Sequence, residues 1–333
     1  MDIARDEAKR TAVRAFRTHN ISESDAALTA EVLVSADARG KHSHGLLRLP
    51  RFVRGIDHGN VDPGGDITVV ADAGAAAIID GGSRLGPVVA AEAVAEATAR
   101  ADEHGIGLVG VHNSNHLGML GYYTDQAQRD GYVALGMTNT EPAMPPHGGA
   151  ASVLGTNPIA IGFPTEPPFN LDMSTAAISR GEVFRRKEVD ETLPEDVALD
   201  AKGRPTTDPA AALEGVILPF GGTKGSGLAI AVEVLAGGLV GAAMGEDVSG
   251  TYHTEKPCTK GDLFVVVDPD ALTDGFVDRA SAFLIGLNGI NRAAEIDDIR
   301  LPGERSVQVD RSAKHVEVDE ELWQSIQKLA APE

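Results

Sequence analysis

The chain has 333 residues, enough for one large domain or two ordinary ones. Apolar residues make up 42% and charged residues 23%, close to the globular average, which excludes wholesale disorder. Acidic residues number 49 against 29 lysines and arginines, for a formal charge of −20. A chain with so few cations is poorly suited to binding nucleic-acid phosphates, and we expect no nucleic-acid partner.

Several features predict a cytoplasmic protein that does not bind a membrane. The longest uncharged stretch, 142–165, contains five prolines and cannot form a spanning helix. The first ten residues are charged and lack the apolar core of a signal peptide. The single cysteine, Cys258, has no partner for an internal disulfide.

The acidity indicates an environment rich in ions. Carboxylates are spread along the whole chain, and lysine is scarce, with nine residues against twenty arginines. Such a surface repels itself at low salt and is tolerated when ions screen it, because the Debye length falls to about 3 Å at 1 M. The composition favours a protein from a high-salt cytoplasm over an ordinary acidic enzyme.

The first 137 residues are predicted to form helices, followed by alternating strands and helices. Ser22-Glu23-Ser24-Asp25 has the pattern of a capping box and begins a helix that ends at Ala38. The predicted elements are helices over 2–18 and 22–38, a third helix after the turn in KHSHG, strands over 67–70 and 75–80, a helix over 87–104, a strand over 105–111, a helix over 117–130 and a strand over 132–137.

The remainder of the chain is predicted to be less regular. Residues 139–219 are rich in proline and glycine, with brief strands over 159–163 and 169–173. Further predicted elements are helices over 225–237 and 274–289, a strand over 262–268 and a polar helix around Trp323. The mixture indicates an α/β or α+β fold.

Residues 105–110 match the dinucleotide-binding pattern G-x-G-x-x-G letter for letter. In a nucleotide-binding fold the pattern follows a strand and opens a helix, whose amino terminus faces the pyrophosphate. Here a helix precedes the pattern and the glycines lie in a strand. We therefore interpret the match as coincidental, and no other segment carries a Rossmann fingerprint or a P-loop.

The first candidate site is Lys41-His42-Ser43-His44-Gly45 together with Arg48. If a helix opens near Gly45, His44 and Arg48 are four residues apart and share a face. An arginine can hold a substrate carboxylate bidentately while a histidine relays a proton, as a 2-hydroxy or 2-keto acid site requires. The alternative is a capped turn with surface histidines.

The second candidate is His112-Asn113-Ser114-Asn115-His116, at the end of a predicted strand, where α/β proteins place catalytic groups. Two histidines four residues apart on a helix could bind zinc. However, the glutamate of H-E-x-x-H is missing and cysteines are not clustered, so we expect no metal. The more specific interpretation is that His116 acts as a general acid–base. The alternative is that His116 is a buried structural histidine hydrogen-bonded to the backbone.

The third candidate is Phe220-Gly221-Gly222-Thr223-Lys224-Gly225-Ser226-Gly227, followed by an apolar run that is predicted to be helical. Glycines let backbone N–H groups approach an anion, a helix amino terminus favours negative charge, and Lys224 adds a positive one. The segment predicts a pyrophosphate site, with a flexible turn as the alternative. Glu233, inside the helix, is expected to meet a cation or a partner subunit.

Together these segments resemble the malate/L-lactate dehydrogenase family of the second type, which includes ureidoglycolate, sulfolactate and diketogulonate oxidoreductases and cyclic-imine reductases. The resemblance runs from about Ala12 to Leu329. It rests on RGKHSHGLLRLPRF, NSNHLGMLGYYTDQA, MTNTEPAMPPHGG, LGTNPIAIGFP, LDMSTAAISRG, ALDAKGRPTTDP, GGTKGSGLAIAVEVLAG and RLPGERS, in the family's order. The resemblance implies a non-Rossmann NAD(P)-binding fold in a homodimer or larger even assembly.

The resemblance also implies two discontinuous lobes and a set of site residues. Residues 1–65, 113–215 and 293–333 would form a helical lobe for cofactor and substrate, and 66–112 with 216–292 an α/β sandwich lobe that forms the dimer. His116 and His44 would relay the proton, with His116 ranked first for alcohol oxidation. Arg48 would clamp the substrate carboxylate, beside Ser43, Asn139 and Thr140. The cofactor would be held by Phe169, Asn170, Leu171, Asp172, Met173, Ser174, Lys224, Gly225, Glu304, Arg305 and Ser306.

The resemblance therefore implies an NAD(P)-dependent oxidoreductase that interconverts a small 2-hydroxy acid and its 2-keto acid, with malate/oxaloacetate or lactate/pyruvate first. Activity on a cyclic imino acid, a diketo sugar acid, sulfolactate or ureidoglycolate at the same site is the alternative. The family's usual residues are replaced at three positions, by Thr223, Ser226 and Glu182. These differences leave the choice between NAD and NADP open, and we favour NAD. A metal-dependent hydrolase and a non-enzymatic ligand-binding protein are the remaining classes.

Overall fold

The computed structural model describes residues 1–296 and 298–331, which fold into a mixed α/β architecture around a central sheet. The strands are β1 (Asp2–Ala4), β2 (Thr68–Asp72), β3 (Ala76–Asp80), β4 (Ile106–His112), β5 (Val133–Thr138), β6 (Ile159–Phe163), β7 (Phe169–Met173), β8 (Ala198–Leu199), β9 (Val216–Ile217), β10 (Asp262–Val267) and β11 (His315–Glu317). The helices are α1 (Arg5–Arg17), α2 (Glu23–Ala38), α3 (Leu49–Asp57), α4 (Gly86–His104), α5 (Leu120–Arg129), α6 (Arg180–Glu188), α7 (Pro209–Glu214), α8 (Thr223–Glu233), α9 (Phe276–Asn288), α10 (Glu304–Ser312) and α11 (Glu320–Leu329).

The central sheet has the strand order β2-β3-β4-β10-β5-β6-β7, which leaves β7 at one edge. Its neighbouring strands are antiparallel, except for the parallel pair β3 and β4. Helix α4 packs on β4 and β10, and α5 packs on β5 and β6. Val89 of α4 and Tyr123 of α5 form a core with apolar side chains of the strands, such as Phe264 of β10. The sheet is therefore the rigid support from which the site loops extend.

The glycines of the G-x-G-x-x-G match serve helix–strand packing. Gly105, with φ of 78°, ends α4, and the other two lie in β4. A Cβ atom on Gly107 would collide with the Ala97 carbonyl, and one on Gly110 would collide with Val240. Because the helix precedes the pattern, the prediction of a coincidental match is confirmed.

The amino-terminal helices form a second core with the end of the chain. Side chains of α1, α2, α3 and α11 pack together, and β1 pairs with β11. The helix predicted from residue 2 begins at Arg5, because residues 2–4 form a strand instead. The Ser22 hydroxyl accepts a hydrogen bond from the Asp25 amide at 3.1 Å, so the start predicted for α2 is confirmed.

Three segments differ from the sequence prediction. The helix expected near Gly45 opens at Leu49, because two 3-10 turns occupy residues 42–48. Residues 139–219 also contain α6, α7 and the strand pair β8–β9, which pack in a third core around Val183. Helix α8 ends at Glu233 and continues as a π-helical turn over Val234–Gly238.

One sheet spans both of the lobes expected from the sequence. Strands β5, β6 and β7 belong to the segment 113–215, yet β5 is hydrogen-bonded to β10 of the other segment set. A boundary between the lobes would have to pass through this sheet, and the division stays a prediction. Within the described residues, no helix combines the length and apolar character needed to cross a membrane.

Candidate active site

The segment that carries His44 is fixed by a buried carboxylate at the end of α2. The Asp37 Oδ2 atom accepts a hydrogen bond from the Leu46 amide at 2.8 Å, and its Oδ1 atom lies 3.1 Å from His42 Nδ1. A Cβ atom on Gly45 would collide with this carboxylate. Burial raises the pKa of Asp37, while its partner raises the pKa of His42. The two 3-10 turns are therefore held in one arrangement.

His116 lies on the loop that follows β4. The side chain of Asn115 donates to the carbonyls of Ser83 (2.8 Å) and Arg84 (3.0 Å), which anchors this loop. The Nδ1 atom of His116 accepts a hydrogen bond from the Gly118 amide at 3.0 Å. A nitrogen that accepts an N–H carries no proton, so the neutral ring holds its proton on Nε2.

The two predicted histidines face each other. Their ring centroids are 5.5 Å apart, and both side chains are half-buried. Removal from water and the nearby Arg48 cation lower the pKa of His44 to about 4, and they hold the pKa of His116 well below its ordinary value. Both rings are therefore neutral at pH 7 in the free protein.

Arg48 is anchored beside this pair by backbone carbonyls. Its Nε atom donates to the Ser43 carbonyl at 2.8 Å and its Nη1 atom to the Thr251 carbonyl at 3.2 Å. Burial and the neighbouring Arg51 lower the pKa of Arg48 to about 9, which leaves it a cation at pH 7. A small pocket is lined by Arg48, Arg51, Asn115, His116 and Thr251, among others. Its two arginines give the pocket the positive charge that attracts an anion.

A buried ion pair near His116 was missed by the sequence reasoning. Lys260 Nζ lies 2.6 Å from both carboxylate oxygens of Asp262, and both side chains are at most 2% exposed. The positive charge of Lys260 contributes to the lowered pKa of His116. A lysine two residues before an aspartate at the start of a strand gave no distinctive signal in the sequence.

The predicted cofactor segments converge on the edge strand β7. The Asn170 amide donates to the Pro302 carbonyl at 2.9 Å, just before Glu304. The Phe220 amide donates to the Thr175 carbonyl at 3.0 Å, which brings the loop before Lys224 next to the end of β7. The arrangement leaves β7 between the loop of Lys224 and the turn before α10.

The side chains of these segments differ in what they can still bind. Lys224 and Arg305 are exposed, and neither side chain has an ion-pair partner among residues 1–296 and 298–331. A Cβ atom on Gly225 would collide with the Phe220 carbonyl, so this glycine permits a close turn. The other predicted cofactor-binding residues already contact other parts of the protein.

Among the residues of β7, Phe169 packs on Phe163, Asn170 donates hydrogen bonds to Gly121 and Thr124, and Asp172 forms an ion pair with Lys41, whereas Leu171 and Met173 are half-buried. The Ser174 hydroxyl accepts a hydrogen bond from the Ala176 amide. Near α10, the Glu304 carboxylate accepts one from the Leu301 amide, and the Ser306 hydroxyl donates one to the Gly303 carbonyl.

Asn139 and Thr140, expected at the substrate, are used inside the fold. Both amide hydrogens of Asn139 are donated, one to Glu233 Oε1 at 2.9 Å and one to the Ala243 carbonyl at 2.8 Å. The Thr140 hydroxyl accepts from the Thr156 amide at 2.9 Å. Glu233 is expected from the sequence to meet a cation or a partner subunit. Within the described residues it accepts hydrogen bonds from two asparagine side chains and the Gly245 amide, not from a cation. These residues therefore brace the loops around the site.

A neutral imidazole pair beside an anchored guanidinium has the chemistry to exchange protons with a bound anion. Among the described residues, no three His, Cys, Asp or Glu side chains are grouped to hold a metal ion. A family model described as malate/L-lactate dehydrogenase matches residues 3–327, and the chain belongs to that family. The protein is an oxidoreductase of the hydroxy acid dehydrogenase class.

Similar proteins give the range of substrates named within the family. The malate/(S)-sulfolactate dehydrogenase of Methanothermus fervidus is 39% identical, over 99% of this chain and 97% of that protein. The (2R)-3-sulfolactate dehydrogenase (NADP(+)) of Chromohalobacter salexigens is 34% identical, over 90% and 89%. The solved sulfolactate dehydrogenase of Methanocaldococcus jannaschii superposes with a TM-score of 0.95 at 38% identity, over 99% and 96%. The fold expected from the sequence is therefore confirmed.

Proposed function

We propose that the protein is an NAD(P)-dependent dehydrogenase that interconverts a small 2-hydroxy acid and its 2-keto acid, with malate/oxaloacetate or lactate/pyruvate first. The convergence of His44, His116 and Arg48 carries this proposal, because the two rings are 5.5 Å apart and Arg48 lies close enough to lower the pKa of both. Arg48 binds the carboxylate, and this places the adjacent carbon and its oxygen between the two imidazoles.

The hydrogen bonds to the rings assign different roles to the two histidines. His116 carries its proton on Nε2 and donates a hydrogen bond to the substrate oxygen. When Nδ1 of His44 donates to the Ser43 hydroxyl, 2.8 Å away, its Nε2 atom is free to accept the hydroxyl proton during oxidation. This assignment reverses the order expected from the sequence, in which His116 accepts the proton.

The charge of Arg48 links substrate binding to proton transfer. In the free protein this cation disfavours protonation of His44. A bound carboxylate offsets the cation, so the pKa of His44 rises when the substrate is present. The ring is then a better proton acceptor in the complex than in the free protein.

The edge of β7, Lys224 and Arg305 fit a nicotinamide dinucleotide. Its pyrophosphate requires cations and backbone N–H groups, and these two exposed side chains are unpaired among the described residues. The cofactor supplies the hydride acceptor for oxidation and the donor for reduction. We place NAD first, and NADP is tested beside it because one relative is named for it.

We further propose a homodimer or larger even assembly in the cytoplasm. Helix α9 exposes Phe283 (66% exposed) and Ile285 (59%), α8 exposes Ile230, and the π-helical turn after α8 exposes Val234. Large apolar side chains with this much exposure are typical of surfaces covered by another subunit. Light scattering after size exclusion should therefore give at least twice the mass of one chain, and a monomer at all concentrations would contradict the proposal.

The test is an absorbance assay at 340 nm with NADH and with NADPH. The panel contains oxaloacetate, pyruvate, sulfopyruvate, a diketo sugar acid and a cyclic imino acid, with ureidoglycolate assayed in the oxidative direction. We expect turnover of 2-keto acids that survives exhaustive chelation, since a hydrolase that needs a metal would lose its activity. Turnover of the imino or sugar acid alone would favour the alternative substrates.

Substitution of the histidines tests the chemistry. His44→Ala and His116→Ala should each lower kcat on the order of 10²-fold or more, because each removes a group that contacts the reacting oxygen. His104→Ala, on the exposed end of α4, is the matched control and should leave kcat unchanged. Near-normal turnover in both site variants would exclude this mechanism.

A further inference from the structure

Arg51 lies three residues after Arg48, and both line the pocket that contains His116. Two consecutive residues of a distant loop hold the two guanidinium groups. The Thr251 carbonyl accepts from Arg48, and the Tyr252 ring lies under Arg51, with 4.3 Å between the guanidinium carbon and the ring centroid. A cation stacked on an aromatic face is held in place while its N–H groups stay available.

Neither cation is neutralised by a carboxylate of the described residues. Among residues 1–296 and 298–331, no carboxylate lies within 4.0 Å of either guanidinium group. The carboxylate of Glu141 instead accepts a hydrogen bond from the Tyr252 amide at 3.0 Å, which fixes the loop. Two half-buried cations side by side repel each other, and this repulsion is relieved when anions bind between them.

The free donors of the two arginines differ. The Nε atom and one Nη1 hydrogen of Arg48 already donate to backbone carbonyls. The remaining N–H groups of Arg48 are enough to bind one carboxylate. Arg51 makes no hydrogen bond to any described residue, and its planar group can take a carboxylate or sulfonate through two parallel bonds. Arg48 directly precedes α3 with helical backbone angles, and Arg51 lies in the first turn of that helix. Residues three apart in helical backbone have Cβ atoms about 5–6 Å apart, which lets both groups contact one small molecule.

We propose that Arg51 binds a second anionic group of the substrate, so that the preferred substrate is a dianionic 2-hydroxy acid or its 2-keto form. The first anion is the carboxylate beside the reacting carbon, held by Arg48. The second is a carboxylate or a sulfonate farther along the molecule. This inference rests on the proposed function and makes Arg51 the residue that separates dianions from monoanions such as lactate.

The test compares Arg51→Gln with wild type on oxaloacetate, sulfopyruvate and pyruvate. The variant should lower kcat/KM for the two dianions on the order of 10²-fold, as expected for the loss of one partner of a charged hydrogen-bonded pair. The value for pyruvate should change by less than about threefold, as for a residue outside the contact. Arg51→Lys keeps the charge and should recover part of the loss.

Arg54→Gln is the matched control, because Arg54 lies one turn further on α3, is exposed and is 3.8 Å from Glu255. It should leave all three substrates within about threefold of wild type. An equal loss on pyruvate and the dianions in Arg51→Gln would show a structural role and overturn the inference, as would no loss at all. A wild-type enzyme that prefers pyruvate would overturn it while the proposed function stands. No turnover of any 2-keto acid would overturn both.

Inhibition of the wild-type protein gives a reading that does not depend on whether the variant folds. Succinate and butyrate have four carbons each but carry two charges and one. As competitive inhibitors of the keto-acid reaction with the cofactor bound, succinate should bind at least about tenfold more tightly, since one further ion pair is worth that much in a pocket. Equal inhibition would overturn the inference.

Discussion

Lys41 and Asp172 form an ion pair that joins the histidine-bearing segment to the edge strand β7. The Lys41 Nζ atom lies 2.5 Å from the Asp172 Oδ2 atom and 3.1 Å from the carbonyl of the same residue. Lys41 is three residues before His44, and Asp172 belongs to the strand on which the expected cofactor segments converge. The pair therefore connects the proposed proton-transfer residues to the proposed cofactor site.

We predict that this pair is coupled energetically. Lys41→Met leaves a carboxylate of only 13% exposure without its partner, and a buried unpaired charge is costly. In a double-mutant cycle with Asp172→Asn, measured by urea unfolding, the coupling should be about 1–3 kcal/mol. The exposed pair Arg54–Glu255, whose side chains are 55% and 51% exposed, is the control and should couple by less than about 1 kcal/mol. Equal coupling in the two cycles would contradict the prediction.

Short motifs made much of the site predictable. His44 and Arg48 lie within five residues of chain, so the local turns alone bring them together. His116 could be predicted because it follows a strand of clear apolar pattern, and its loop leads back toward the same pocket. Strands β6 and β7 match their predicted bounds because prolines and turn residues surround short apolar runs.

The rest depends on contacts between distant parts of the chain. Arg51 is placed by Tyr252, about two hundred residues away, and only its spacing of three from Arg48 could have suggested it. The pairing of β1 with β11 joins residues 2–4 to 315–317, segments too short to show a strand period. The Asn139 side chain is of a type that often binds substrates. Both of its amide hydrogens are instead donated to distant residues, Glu233 and Ala243, which no local pattern reveals.

Stability should depend on pH through His44. Burial and Arg48 lower its pKa from 6.5 to about 4 in the folded protein, so the unfolded chain binds more protons between these values. The free energy of unfolding should therefore fall as the pH drops from about 6.5 to about 4. In His44→Gln this loss, measured by urea unfolding at pH 7 and pH 4.5, should be smaller by on the order of 1–3 kcal/mol. An unchanged pH dependence would contradict the lowered pKa.

Gly45 should be intolerant of a side chain for a steric reason. Its φ of −91° is accessible to any residue, but a Cβ atom there would collide with the Asp37 carboxylate that holds Leu46. We expect Gly45→Ala to lower the free energy of unfolding by about 1–3 kcal/mol and to reduce kcat. Gly227→Ala, on α8 with open space around it, is the control and should be neutral or stabilising by up to about 1 kcal/mol. Equal effects of the two substitutions would contradict the steric argument.

Salt should stabilise the protein well beyond ordinary ionic strength. A formal charge of −20 makes the folded surface repel itself, and the repulsion is relieved as added ions shorten the screening length from about 10 Å at 0.1 M to about 3 Å at 1 M. We expect the midpoint of urea unfolding and the activity to rise together between 0.1 M and 2 M KCl.

A neutral osmolyte separates charge screening from exclusion of solute from the surface. Sucrose strengthens burial of apolar groups without screening charge, so it should raise the unfolding midpoint while leaving its dependence on KCl in place. If the repulsion is the cause, replacing exposed acidic residues such as Glu92 and Glu103, which lie on α4, by glutamine should flatten the KCl dependence. A midpoint that is flat or falling above 1 M KCl would remove the high-salt interpretation and leave an ordinary acidic enzyme.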